Sequence, residues 1–262
     1  MALEAKRLRA IIGGSAGNLV EWYDWYAYSA LSLYFSASFF PKGDPTAQLL
    51  NTSAVFAVGF FMRPIGAYLM GRYADRHGRK AGLAVSVALM CAVSLMIAFA
   101  PTYATIGIAA PILLLVARLL QGLSVGGEYG ASATYLSEMA TRRHRGFWSS
   151  FQYVTLIGGM LSALAVTLLL QAVFTKAQMD SFGWRIAFAL GAALALGVYL
   201  LRRGLAETAS FRALAVDRPA SGMAALWRAH PREFLLVGAI SAGGGLAFYA
   251  YTTYMQKFLA NT

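Results

Sequence analysis

The sequence predicts an all-α integral membrane protein, and its composition, its long apolar runs and its basic residues each support this. Of the 262 residues, 58% are hydrophobic and only 13% are charged, whereas a soluble domain carries about 25% charged residues. Such a chain has too little charge to cover a surface that faces water, and it is too apolar to be disordered. The composition therefore excludes both an ordinary soluble protein and a disordered one.

Seven segments are candidates for membrane-spanning helices, each of which needs about 20 mostly apolar residues. In chain order they are 10–40, 46–71, 81–100, 102–139, 147–174, 186–201 and 234–256. The start of the fourth segment is open, because 102–139 is longer than one helix requires. The sixth is short unless Gly183 and Trp184 extend it.

The basic residues predict which end of each span faces the cytoplasm. Of the 22 lysines and arginines, sixteen fall in the N-terminal tail and in loops 2–3, 4–5 and 6–7, and three fall in the opposite loops. Because loops rich in lysine and arginine stay in the cytoplasm, the N-terminus is expected on the cytoplasmic side of the inner membrane. The net charge of +11 then indicates anionic lipid as the partner, not nucleic acid.

Three regions are expected along the chain. Residues 1–201 form a six-helix bundle, 202–232 form a cytoplasmic linker with some amphipathic helix near 223–227, and 233–262 form the seventh helix. The linker is the only long polar stretch between spans. Connecting the two neighbouring helices is the simplest role for it.

Two acids lie within the first span. A charge at the centre of a membrane helix costs roughly 2.5–3.5 kcal/mol, so such residues mark candidate functional sites. Glu21 and Asp24 are three residues apart and share one helix face with Tyr28. Two close carboxylates in a medium of low dielectric constant suit a proton carrier. The alternative is a pair of acids near the membrane interface, partnered by arginine or water.

Two arginines also lie within spans. Arg63 precedes Pro64, and Arg118 shares a polar stripe with Gln121 on the fourth span. A guanidinium can hold a carboxylate through two hydrogen bonds, so each arginine could bind an anionic substrate or form a structural pair with an acid. Glu128 lies off the stripe and is expected to pair with another helix.

Two motifs resemble the major facilitator superfamily. The run from Gly71 to Lys80 matches its loop 2–3 signature G-x-x-x-D-R-x-G-R-K, and the run from Arg118 to Gly127 resembles its helix 4 motif, R-x-x-Q-G followed by small residues. Runs at 18–24, 62–66, 126–130 and 183–185 are similar to the metabolite:proton symporter family within it. Runs at 149–159 and 254–257 are most similar to its members that carry alpha-ketoglutarate.

The resemblance implies a twelve-helix transporter, of which this chain is the six-helix N-terminal half plus helix 7. It implies proton symport of a dicarboxylate such as 2-oxoglutarate by alternating access, with no enzymatic activity, cofactor or metal. Other metabolites of the family, of the shikimate, citrate or proline/betaine type, stay open. The expected partners are a small anionic metabolite, the proton, the lipid bilayer and a C-terminal half. The chain is expected to be a truncated piece that does not transport alone.

The resemblance also suggests roles for the candidate residues. The superfamily's loop aspartate, here Asp75, is thought to lock the two halves together. The candidate substrate-binding residues are Arg63, Arg118, Gln121 and Tyr28, and the candidate proton-coupling residues are Glu21 or Asp24, with Glu128 behind them. The candidate gate residues are Gly71, Asp75, Arg76, Gly78, Arg79 and Lys80.

A seven-helix retinal protein is the main alternative by helix count, since Lys257 lies in the seventh span. Three features disagree with it: the inferred cytoplasmic N-terminus, the absence of an acid from 81–100, and the position of Lys257 near its helix end. An enzyme fits less well, because the sequence shows no metal cluster, nucleophile elbow or phosphate loop.

Overall fold

The computed structural model of the chain describes residues 2–140, 142–208, 211 and 222–251. Lys257, the run 254–257 and most of the predicted linker lie outside these residues. The chain divides into two compact units, Met1–Val216 and Asp217–Thr262.

Helices form all of the regular structure that is described. In the first unit the long helices are α1 (Ala2–Phe39), α2 (Pro45–His77), α3 (Arg79–Ala98), α5 (Ala109–Met139), α6 (Arg145–Val173) and α8 (Trp184–Arg203). Short pieces connect them: α4 (Tyr103–Ile106), a 3-10 turn (Arg142–His144), α7 (Lys176–Gln178) and a π-helical turn (Met179–Gly183). The second unit contains α9 (Met223–Ala229) and α10 (Pro231–Tyr249).

Five of the described helical segments are long and apolar enough to cross a membrane. They are α2, α3, α5, α6 and the segment Lys176–Arg203, which joins α7, the π-helical turn and α8. Helix α1 has 38 residues, which also exceeds the length of a span, but it carries Glu21 and Asp24. The open start of the fourth segment is now defined, because the chain turns at Gly107, where φ is 58°, and α5 begins at Ala109.

Helix α2 is longer than its apolar run. At its start, Pro45 occupies the first turn and the Asp44 side chain accepts a hydrogen bond of 2.9 Å from the Thr46 amide. It then continues past Gly71 to His77, so the predicted loop 2–3 is mostly helical. The prediction of a loop after Gly71 was wrong because polar residues can extend a helix beyond the bilayer, where its internal hydrogen bonds are kept. The turn itself is made by Gly78 at φ 111°.

Glycines allow α2 and α5 to pack closely. A Cβ atom at Gly122 would collide with the carbonyl oxygen of Gly59, and one at Gly126 would collide with that of Arg63. Such close approach of two backbones is how small residues join helices in a membrane. This contact fixes the register of the two helices, and it brings Arg63 to the level of the polar stripe on α5.

Helix α1 lies at the centre of the first unit and contacts α2, α5, α6 and α8. One part of its surface packs into an aromatic core with Phe35, Phe39, Trp184 and Phe188, whose ring centroids are 5.6–6.3 Å apart. Between α1 and α5 the buried side chains also include polar ones, among them Asp24 and Gln121.

Candidate functional site

A hydrogen-bonded chain connects Asp24 on α1 to Arg118 on α5. Gln121 lies between them, because its amide nitrogen donates to Asp24 Oδ2 and its amide oxygen accepts from Arg118. The other oxygen of Asp24 accepts from the Ser94 hydroxyl on α3 at 2.8 Å. Asp24, Gln121 and Arg118 are each 0% exposed. The predicted stripe therefore meets the predicted acid, and Gln121 joins the two charges.

Aromatic rings surround the guanidinium of Arg118. Its Cζ lies 4.1 Å from the ring centroid of Trp25, 4.2 Å from that of Tyr28 and 4.7 Å from that of Phe56. In the described part of the chain, no acceptor contacts its Nε or its second amino nitrogen. Cation–π attraction, which reaches about 2 kcal/mol for a desolvated pair, therefore replaces part of the lost hydration. The Tyr28 hydroxyl donates to the Thr52 carbonyl at 3.2 Å, which holds its ring against the guanidinium.

Arg63, on α2, contacts the same aromatic group. Its Cζ is 4.1 Å from the Trp25 ring centroid, 4.4 Å from that of Phe60 and 5.6 Å from that of Trp22. Two guanidiniums thus contact the single indole of Trp25. Arg63 is partly exposed, whereas Arg118 is completely buried. Sequence spacing could not separate the two arginines in this way, since both lie in the middle of apolar runs.

Glu21 lies one helical turn from Asp24 but belongs to a different set of contacts. Its Oε1 is 3.1 Å from the Ser124 hydroxyl on α5, and that hydroxyl is also 2.9 Å from the Ser86 carbonyl on α3. Its Oε2 is buried and has no hydrogen-bond partner among the described residues. The shared helix face that the spacing predicts is therefore present, but the two acids have separate partners.

Glu128 on α5 forms an ion pair with Arg202 on α8. Both side chains are 0% exposed, and the guanidinium donates to both oxygens of the carboxylate. Arg202 also donates to three backbone carbonyls, those of Gly13 at 2.9 Å, Gly14 at 3.1 Å and Leu83 at 2.6 Å. The expectation that Glu128 pairs with another helix is confirmed.

Arg202 itself is a residue that sequence reasoning missed, because it was counted among the basic residues of the linker. The structure places it in the last turn of α8, inside the bundle. The signal that could have identified it was Glu128, since an acid buried in a span needs a cation from another helix.

The predicted gate residues surround the junction between α2 and α3. Asp75 forms an ion pair with Arg79, and Arg79 Nε lies 3.9 Å from a Glu138 oxygen on α5. Glu207 accepts hydrogen bonds from the Arg79 amide at 3.1 Å and the Lys80 amide at 3.2 Å. A carboxylate at this position is favoured, because it binds the first free amides of α3 at the positive end of the helix dipole. Arg76 is exposed at the end of α2.

Glu207 is a second residue that the sequence did not reveal. It follows α8 in the part assigned to the linker, which therefore begins by packing against the bundle: Leu205 and Thr208 are buried there as well. Within the described residues no group of three histidine, cysteine or acidic side chains could hold a metal ion.

Known proteins resemble the chain over most of its length. Residues 10–225 match the family described as "Sugar (and other) transporter". The chain is 56% identical to an alpha-ketoglutarate permease of Escherichia coli over 98% of this chain and 59% of the permease. It is 36% identical to a citrate-proton symporter of Klebsiella pneumoniae over 96% of this chain and 57% of the symporter. The chain thus spans somewhat more than half the length of these relatives.

A solved structure has the same fold. It is a proton:xylose symporter of the major facilitator superfamily with bound 6-bromo-6-deoxy-D-glucose, and it superposes with a TM-score of 0.72 at 20% identity over 79% of this chain and 46% of that chain. The predicted all-helical membrane fold, the N-terminal half of this superfamily's architecture, is confirmed.

Proposed function

The chain belongs to the sugar (and other) transporter family of multi-pass membrane proteins, and on that premise we propose that it is the N-terminal part of a proton-coupled dicarboxylate symporter. The proposed substrate is 2-oxoglutarate, since the chain is 56% identical to a permease named for it. One observation carries the proposal: Asp24 is connected through Gln121 to Arg118, and Arg118 contacts the same indole as the partly exposed Arg63.

Asp24 is the proposed proton-coupling acid. When it is ionised, its negative charge balances Arg118 through Gln121. When it takes up a proton, the positive charge of Arg118 is no longer balanced, and the potential around Trp25 becomes more positive. A dianion then binds more favourably near Arg63. By thermodynamic reciprocity the bound dianion strengthens proton binding by the same factor, which is the coupling that symport requires.

Arg63 is the proposed contact for a substrate carboxylate. Its side chain is partly exposed, although Nε and one amino nitrogen are buried, and the rings of Trp25 and Phe60 hold its guanidinium in place. Arg118 acts through the field it produces, because it is fully buried. Tyr28 and Gln121 position Arg118. Glu128 has a smaller part in coupling, since Arg202 neutralises it.

The proposed gate is the junction of α2 and α3. Asp75, Arg79 and Lys80, with the neighbouring Gly71, Arg76 and Gly78, form the end of the bundle that would meet a C-terminal half during alternating access. From the positive-inside rule we expect this junction and the N-terminus to lie on the cytoplasmic side of the inner membrane. We expect residues 1–262 alone to give no uptake, because a midplane site needs helices from both halves.

The proposal is tested by uptake into vesicles of labelled 2-oxoglutarate. The protein is this chain fused to the C-terminal part of the E. coli permease, and the residues under test lie in this chain. Uptake should accelerate when the outside is made acidic, and unlabelled 2-oxoglutarate should compete better than citrate or shikimate. Stronger competition by citrate or shikimate would contradict 2-oxoglutarate as the substrate. An uptake rate that is the same with and without the pH gradient would refute proton coupling.

Two variants separate the proposed roles. Arg63→Gln should raise KM at least about tenfold, because a hydrogen bond to a charged group contributes about 1.5–3 kcal/mol. The matched control is Arg72→Gln on the same helix, whose guanidinium donates to the Tyr68 hydroxyl at 3.1 Å. Asp24→Asn should abolish acceleration by the gradient while exchange of labelled for unlabelled substrate continues. A normal KM in Arg63→Gln, or a gradient response in Asp24→Asn, contradicts the respective assignment.

A further inference from the structure

Five carboxyl and guanidinium side chains are completely buried in the described part of the first unit. They are Glu21, Asp24, Arg118, Glu128 and Arg202, each 0–1% exposed. Three are acids and two are guanidiniums, so the set carries one excess negative charge if every group is ionised. An uncompensated charge in a medium of low dielectric constant costs several kcal/mol. One proton on one of the acids makes the set neutral.

The contacts identify which acid takes that proton. Glu128 accepts two hydrogen bonds from Arg202. Asp24 accepts from Ser94 and Gln121, and Gln121 connects it to Arg118. Glu21 has no contact with a cation among the described salt bridges, and its Oε2 has no hydrogen-bond partner there. Glu21 is therefore the acid that is least stable when ionised.

The hydroxyl of Ser124 gives an independent argument. It lies 2.9 Å from the Ser86 carbonyl and 3.1 Å from Glu21 Oε1, but a hydroxyl has only one hydrogen to donate. The carbonyl can only accept, so both contacts can be full hydrogen bonds only if Ser124 donates its hydrogen to the carbonyl. The contact with Glu21 is then a hydrogen bond only if the acid donates to the serine oxygen, and that requires a protonated carboxyl group.

We propose that Glu21 holds a proton in this conformation and is a second proton-binding site of the bundle, separate from Asp24. The charged groups that act on it are Glu128, Arg202 and Arg63. Of these, Glu128 is paired with Arg202, and the guanidinium of Arg63 contacts the rings of Trp25 and Phe60. The inference stands on the buried contacts of α1, α3 and α5, and it does not require that Asp24 couples transport.

Infrared spectroscopy of the purified 262-residue chain at neutral pH tests the site directly. A protonated carboxylic acid gives a carbonyl stretch that is separate from the carboxylate bands and shifts in heavy water. We expect this band in the unmodified chain and its loss in Glu21→Gln. It should persist in Asp24→Asn and in Glu138→Gln, the matched control on α5, because Glu138 is 19% exposed and faces Arg79.

Three outcomes would overturn the proposal: no such band in the unmodified chain, survival of the band in Glu21→Gln, or its loss in Asp24→Asn. A further variant keeps the test decisive if Glu21→Gln fails to fold. Ser124→Ala retains every carboxyl group and removes only the acceptor of the proposed hydrogen bond, so the band should shift in frequency. A band that Ser124→Ala leaves in place would show that Glu21 does not donate to this serine, against the inference.

Discussion

Replacing Arg202 with methionine should destabilise the bundle more than any single change at an exposed arginine. The substitution keeps an unbranched side chain of similar length but removes five donated hydrogen bonds, two of them to Glu128. The main loss is the compensation of the buried carboxylate, because the three carbonyls lie in helices and keep other partners. Breaking a buried ion pair on one side costs about 3–5 kcal/mol.

The assay is thermal unfolding of the detergent-solubilised 262-residue chain. For a protein of about this size each kcal/mol moves the melting temperature by roughly 2–4 °C, so Arg202→Met should lower it by roughly 10 °C. The matched control is Arg203→Met, the next residue of α8, whose side chain is exposed. It should melt close to the unmodified chain.

A double variant identifies the cause of the loss. Adding Glu128→Gln to Arg202→Met removes the unpaired charge, so stability should recover by about half or more of the loss, since replacing both partners of a buried pair is often close to neutral. Equal melting temperatures for Arg202→Met and Arg203→Met would refute the reasoning. So would a double variant whose loss equals the sum of the two single losses.

Three further predictions concern packing, backbone and coupling. Gly126→Ala should lower the free energy of unfolding by about 1–3 kcal/mol, because its Cβ would strike the Arg63 carbonyl. The control Gly130→Ala faces open space on the same helix and should keep its stability. Equal melting temperatures for the two variants would contradict this packing. Gly78→Ala should lower the free energy of unfolding by about 1–3 kcal/mol, because φ is 111° there and the new Cβ would meet the Glu207 carboxylate. The control Gly71→Ala should unfold like the unmodified chain. Unchanged stability of Gly78→Ala would contradict the turn at this residue. Trp25→Leu in the fusion protein should weaken both the substrate affinity and the response of uptake to the pH gradient, because Arg63 and Arg118 lose the same ring. Trp25→Phe should retain most of the affinity and most of the gradient response. A change in the affinity alone, or in the gradient response alone, would show that the indole does not connect the two arginines.

Much of the fold could be predicted because it depends on local properties of the chain. An apolar run of about 20 residues specifies a spanning helix wherever it occurs. The run lengths were less informative about helix ends. Helix α2 continues to His77 because its last residues are polar yet keep their internal hydrogen bonds, and hydropathy does not register a helix that extends beyond the bilayer.

The sequence alone determined which side chains share a helix face and which charges lie inside spans. Spacing placed Glu21 with Asp24 and Arg118 with Gln121, since the period of a helix is fixed by its backbone. Only the tertiary structure decided the partners across helices. It joined Gln121 to Asp24, paired Glu128 with Arg202, buried Arg118 and left Arg63 partly exposed. Those contacts depend on the register of the helices and on the distance between them. Both are determined by packing at glycines that lie far apart in the sequence, such as Gly59 and Gly122.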